Sequence, residues 1–419
     1  MESIIYIPGL GTRLFNQSVE SFAYRFKKAL DINDPDKSRH YETEFRKINY
    51  GKDNKQESNV ASIYVTGDGK KRIIYEIYEL DYGKALTDKF EKNNIFIKTF
   101  LLFISIIVKI PDILYQFIRS MFKKKQHPIT LSFKDILQFT YGAFALLLIS
   151  LFGIFLVLSL ISYLPDFFQM NKIQDPAGIL KMLNTFKETA IAKYIIGIST
   201  LLFLILPNAK NFITILATEY LCTMYYLNFG ERRQNIIGKL EELTEYISEI
   251  HDPVRISFYC YSFGSIIAAD ALFPFDGKAS YRIANSVKIL VTIGSPIDFI
   301  KVYWPTYFEN RKKANNNLMK WYNIYSMNDI LSSNFRFDDK ELEAKYGIAE
   351  DSILPVNIPY NILNSGGNSF ISTALLMGFK ANQLYWDDEV YSASCFTNLI
   401  IKMREDNVLI QDSKDSKDS

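Results

Sequence analysis

Arg255–Leu272 reads RISFYCYSFGSIIAADAL. An apolar strand-forming run, Val254–Cys260, leads through Tyr261-Ser262-Phe263-Gly264 directly into a helix of small and aliphatic residues. Strand, tight turn and helix in that order form the setting of a nucleophile elbow, G-x-S-x-G. The turn is so sharp that the positions two before and two after the serine must be small. Gly264 meets this requirement, and Cys260 meets it approximately. Ser262 would then lie at a helix N-terminus, where backbone N–H groups and the helix dipole favour an oxyanion. A Ser-x-Gly triplet alone is common by chance, and the competing reading is an ordinary strand–helix turn. The placement between strand and helix gives the motif its weight.

Outward from this turn the pattern alternates between strands and helices. Ser3–Ile7 is a short apolar strand ending in Pro8-Gly9-Leu10-Gly11, and Ser18–Leu30 has helical spacing through Phe22, Phe26 and Leu30. Val60–Thr66 and Arg72–Leu80 flank Gly67-Asp68-Gly69 as a hairpin. Arg232–Ile250 is an amphipathic helix, and Val287–Ile293 and Trp321–Tyr325 are further strands. Helical patterns between strands predict a mostly parallel sheet with helices on both faces. The closing QDSKDSKDS is a polar repeat, so 406–419 is expected to be a disordered tail.

Between the two soluble parts, 1–94 and 217–405, lies an apolar block over 95–216. Phe139–Leu164 is uncharged throughout, and as a helix it would extend roughly 39 Å, enough to span a bilayer. A second uncharged run, Tyr194–Ala209, extends past Lys210 to Leu216. Ile95–Ile118 is interrupted by Lys98, Lys109 and Pro111 and reads as an interfacial helix. If both soluble parts build one sheet they lie on one side of the membrane, which requires an even number of crossings. Spans at 139–164 and 194–216 satisfy this as a helical hairpin. Arg119, Lys123, Lys124, Lys125 and Lys134 precede the first span and favour a cytoplasmic start at the inner membrane, against Lys172, Lys181, Lys187 and Lys193 in the connecting loop. Membrane lipid is therefore an expected partner.

Composition removes other classes. Lys+Arg 48 against Asp+Glu 46 leaves +2, which is no nucleic-acid footprint. Hydrophobic residues at 48% exclude a disordered chain. The start, MESIIYIPGL, shows no signal-peptide pattern. Cys222, Cys260 and Cys395 are too far apart for a disulfide scaffold or a CxxC zinc site, and the chain is expected to need no metal or cofactor. Only three histidines exist, His40, His127 and His251, and all precede Ser262.

The elbow, with the segments around it, resembles the α/β-hydrolase superfamily, in particular its lipase-like and esterase-like members. The resemblance covers the N-terminal stretch and most of 217–405, but not the membrane block. Ile4–Gly11 (IIYIPGLG) stands where the family has its oxyanion loop, with Pro8 where a histidine is common. Leu290–Asp298 (LVTIGSPID) resembles the strand after the elbow helix, in which Ser295 reads as a turn residue. Trp321–Leu331 (WYNIYSMNDIL) resembles the strand that presents the acid. The resemblance implies that Ser262 is the nucleophile, that Asp329 is the acid, and that Phe263 with Gly9, Leu10 and Gly11 holds an oxyanion. The competing reading of Asp329 is a turn aspartate.

The resemblance then departs from the pattern. In Lys380–Val390 (KANQLYWDDEV) the family's histidine position holds Asn382. An amide is not basic near pH 7 and cannot take the serine proton, although it can hydrogen-bond. Asp387 and Asp388 read as a helix N-terminal pair, and Ser365–Ser369 (SGGNS) as a loop over the pocket or a plain connection. Two expectations follow. One is a membrane-anchored serine hydrolase of ester or lipid substrates whose base is water, an unidentified side chain or a partner's histidine. The other is an impaired pseudo-hydrolase that binds a lipid or an unidentified protein at the membrane. Two spans with no charge deep within the membrane and no internal repeat give little support to a transporter.

Overall fold

The structure is a computed structural model. It describes residues 1–10, 18–67, 70–86, 95–122, 220–275, 278–360, 384–386 and 395–409, apart from short gaps, with a few isolated positions between 140 and 197. The strands are β1 (Glu2–Ile7), β2 (His40–Tyr50), β3 (Gln56–Gly67), β4 (Lys70–Glu79), β5 (Ile256–Tyr261), β6 (Val287–Ile293), β7 (Lys320–Tyr325) and β8 (Val356–Pro359). The helices are α1 (Val19–Asn33), α2 (Ile95–Phe122), α3 (Gly230–Ile250), α4 (Gly264–Leu272), α5 (Tyr281–Ser286), α6 (Ile297–Tyr303) and α7 (Cys395–Glu405).

One eight-stranded sheet runs β2-β3-β4-β1-β5-β6-β7-β8. It is parallel from β4 to β8, and β2–β3–β4 form an antiparallel margin. β1 and β5 pair in parallel from Ser3↔Ile256 to Ile7↔Cys260. The segments on either side of the apolar block therefore share one sheet, as the even-crossing argument requires.

Central strands are buried on both faces, so β1 and β5 read as near-continuous apolar runs rather than alternating ones. Within that run the period of two still sorts the side chains. Ile5, Ile7, Phe258 and Cys260 face the core under α3, α4 and α6, while Ile4, Tyr6, Tyr259 and Tyr261 face the core under α1 and α7. β2 is the exception: an exposed edge strand rich in charged residues, a composition that blunts edge-to-edge pairing. Its mixed pattern carries no strand signal in the residues alone.

Several boundaries move. Ser18 caps α1, accepting from the Ser21 N–H, and the helix continues to Asn33. The strand expected at Val254–Cys260 runs Ile256–Tyr261. The expected tail from 406 begins with docked residues: Asp406 accepts from the Tyr322 hydroxyl at 2.9 Å, and the Val408 carbonyl accepts from Arg255 at 2.8 Å. The segment expected to form a helix over 95–118 is helical, as α2, with Pro111 inside it. Among the described residues no helix is long and apolar enough to cross a membrane. The spans expected at 139–164 and 194–216 lie, but for isolated positions, outside the described residues, as do His127, Ser365–Ser369, Asp387 and Asp388.

Candidate active site

β5 ends at Tyr261 and α4 begins at Gly264, so only Ser262 and Phe263 make the turn. A chain reversal this tight forces Ser262 to φ 47, in the left-handed region that costs a side-chain-bearing residue about 1–2 kcal/mol. Two interactions hold it there. The Ser262 N–H donates to the Ile293 carbonyl at 2.8 Å, and its carbonyl accepts from the Ser265 N–H at 3.0 Å. Gly264 makes the turn feasible, because a Cβ there would stand 2.2 Å from the Ile7 carbonyl oxygen. The elbow helix thus rests against β1 backbone. Cys260, the approximate match to the motif's first glycine, is fully buried in the core, and burial raises its thiol well above the ordinary range.

The Pro8–Leu10 turn lies beside the serine. A Cβ on Gly9 would stand 3.2 Å from the Ser262 Cβ. Leu10 is buried in the core shared with Phe263, and Gly11 is outside the described residues. The Phe263 N–H donates to no backbone carbonyl among the described residues. A free amide at a helix start next to a serine hydroxyl can hold an anionic oxygen.

Asp329 sits beyond β7 at the same end of the sheet, wholly buried. Its neighbour across β6 is Gly294, at φ +58, where a Cβ would meet the Tyr385 ring at 2.9 Å and the Asp329 carboxylate at 3.4 Å. The carboxylate accepts from the Leu331 N–H at 3.0 Å and from the Tyr385 hydroxyl at 3.1 Å. The Tyr385 hydroxyl in turn accepts from the Ser326 N–H at 2.9 Å. Burial pushes the Asp329 carboxyl up to about 7, with the Leu331 and Tyr385 donors acting against the rise. Burial and the adjacent Asp329 also hold the Tyr385 phenol well above its usual range, so it is a donor and not a base.

Tyr385 therefore joins the candidate site, a role that little in its sequence neighbourhood marks. Its only sequence signal was its place in LYW, three residues after Asn382. Asn382 itself is outside the described residues. Ser295, expected at a turn, follows β6 and is fully buried; its hydroxyl has no partner among the described residues, while its carbonyl accepts from the Ser333 N–H.

The two described histidines lie at the opposite end of the sheet. His251 Nε2 is 2.9 Å from Glu76 Oε2 and 3.3 Å from the Tyr78 hydroxyl. Glu76 is level with Ser3, and Ser3 with Ile256, six residues before Ser262. At strand rise this is roughly 20 Å from the elbow. His40 begins β2 and is exposed. Among the described residues no side chain bonds the Ser262 hydroxyl.

Both roots of the apolar block land on the elbow. On the outgoing side the Tyr82 hydroxyl donates to the Pro8 carbonyl at 2.6 Å. On the returning side, helical residues 220–228 bring the Tyr226 ring edge-on to Phe263 at 5.2 Å. Tyr226 also donates at 2.9 Å to Asp270 of α4, which pairs with the buried Arg311 at 2.5 Å. Arg311 donates to the Phe273 carbonyl as well, placing a cation at the C-terminal end of the elbow helix. Among the described residues no cluster of side chains could hold a metal ion.

No protein-family model, curated protein or solved structure matches the chain.

Proposed function

We propose that this is a membrane-associated, α/β-hydrolase-like protein that engages an acyl-ester or lipid carbonyl at Ser262 but turns it over poorly. The observation that carries this reading is the partner of Asp329. A triad acid works by orienting an imidazole and stabilising its charged form. Here the buried carboxyl takes a side-chain hydrogen bond from Tyr385, and its pKa near 7 leaves it substantially protonated at neutral pH. Both described histidines lie at the far end of the sheet, and Asn382 stands at the family's histidine position. Losing a triad base typically costs on the order of 10⁶ in turnover, and what remains comes from the oxyanion site and binding.

A competing reading, a competent serine hydrolase, draws on a different observation. Ser262 keeps the left-handed turn with Gly9 packed against it, and such strain concentrates at functional sites. Labelling with a serine-reactive phosphonate separates the two. The proposal expects little labelling of the wild-type chain and Ser262-dependent labelling in Asn382→His. Rapid wild-type labelling that vanishes in Ser262→Ala overturns it in favour of the hydrolase.

A further inference from the structure

We propose that α2 lies in the plane of an anionic bilayer and seats the Ser262 end of the sheet on the membrane surface. This extends the membrane reading above and rests on no chemistry at Ser262. One side of α2 belongs to the protein. Leu102 is wholly buried in the core, and the Lys109 ammonium stands 5.0 Å over the Trp304 ring and 3.3 Å from Asp112. The other side is apolar and exposed, through Ile104, Ile107, Val108, Leu114, Tyr115 and Ile118, with Val108 at 64% and Tyr115 at 59%. At about 100° per residue these six fall within roughly a third of the helix circumference, and Lys109 points nearly opposite their centre. The stripe extends roughly 21 Å along the axis, a length of exposed apolar surface that marks an interaction site.

Three observations choose a bilayer as its occupant. Arg119, Lys123, Lys124 and Lys125 follow the end of the stripe, where they would meet anionic headgroups. The same chain then enters the uncharged run Phe139–Leu164, long enough to span. The Lys109–Asp112 pair and Pro111 sit midway along the helix, where a span would carry charge to the bilayer centre at a cost of several kcal/mol. A helix lying flat keeps the Lys109 ammonium on the protein side and the half-exposed Asp112 at its flank, out of the hydrocarbon. The orientation follows from the anchors: the segment leading into α2 begins beyond the end of β4 and bonds Pro8 through Tyr82, and α2 packs on α6, which starts beyond the end of β6.

Spin labels on single cysteines replacing Ile104, Val108, Tyr115, Ile118 and, inside, Leu102 test this. The full chain would be reconstituted in phosphatidylcholine–phosphatidylglycerol vesicles, with accessibility read to oxygen and to a water-soluble nickel chelate. The expected result is loss of nickel accessibility with retained oxygen accessibility at the four outer sites, at one common depth, and low accessibility to both at Leu102. In phosphatidylcholine alone, nickel accessibility at Ile118 should rise. A depth that changes steadily from Ile104 to Ile118 would show a span, and low accessibility to both reagents at the outer sites would show a protein partner or second copy. High nickel accessibility there would show water, and indifference to lipid charge would remove the anionic bilayer. Each of these four outcomes overturns the proposal without touching the phosphonate result at Ser262.

Discussion

Replacing Asp329 by Asn tests whether the acid position holds a proton or a charge. The carboxyl is fully buried, and its pKa stands near 7 in the fold against an ordinary 3.8. The folded chain therefore binds this proton more tightly than the unfolded chain. The stabilisation is fully present below about 4 and is lost as pH rises through about 7. At ~1.4 kcal/mol per tenfold change in affinity, the interval corresponds to ~4 kcal/mol. Asparagine carries no charge to bury, so the variant escapes that loss. Its amide oxygen can still accept from Tyr385 or Leu331, and imperfect geometry adds a pH-independent offset of about 1 kcal/mol. The measurement is detergent-solubilised urea or thermal unfolding of wild type and variant from pH 4 to 8, read as the difference between them. Relative to the variant, the wild type should lose several kcal/mol between pH 4 and 7 and then level off. A flat difference would refute the raised pKa. A wild type that gains with pH would refute it more strongly, because that is the signature of a carboxylate paired with a cation.

Ser262→Gly should be more stable than Ser262→Ala by about 1 kcal/mol, since glycine alone adopts φ 47 without strain; equal melting temperatures would show a relaxed turn. Tyr385→Phe removes a donor from Asp329 and the acceptor of the Ser326 N–H, and should cost about 1–3 kcal/mol in chemical denaturation, with the pKa of Asp329 rising further. Arg311→Met removes the cation from the buried Asp270 and should cost about 3–5 kcal/mol, while adding Asp270→Asn, which keeps an acceptor for Tyr226 and Tyr307, should recover much of that loss; additive losses in the double-mutant cycle would show that the pair is not coupled.

Much of the site was legible because it is local. A strand, a two-residue turn and a helix of small residues are consecutive in sequence, so Ser262 could be placed on chemistry alone. Asp329 also lies only four residues past the end of its strand. What was not legible is the partner of that acid. Tyr385 reaches Asp329 across 56 residues through a single 3-10 turn, Leu384–Trp386, and nothing in the spacing of LYW announces a buried hydroxyl. The edge strand β2 escaped for a different reason: an exposed strand with charges on it lacks the alternation that marks half-buried ones.

The amino-acid sequence by itself determined the α/β alternation, the turn at Ser262, the uncharged runs and the histidine count, because each rests on residue type and near-neighbour spacing. Only the tertiary structure decided which groups meet. Parallel pairing of β1 with β5 brings Pro8 and Gly9 to the serine, and the sheet carries His251 to the end away from it. The same packing buries Asp329 against Tyr385, where desolvation rather than sequence neighbours sets its protonation.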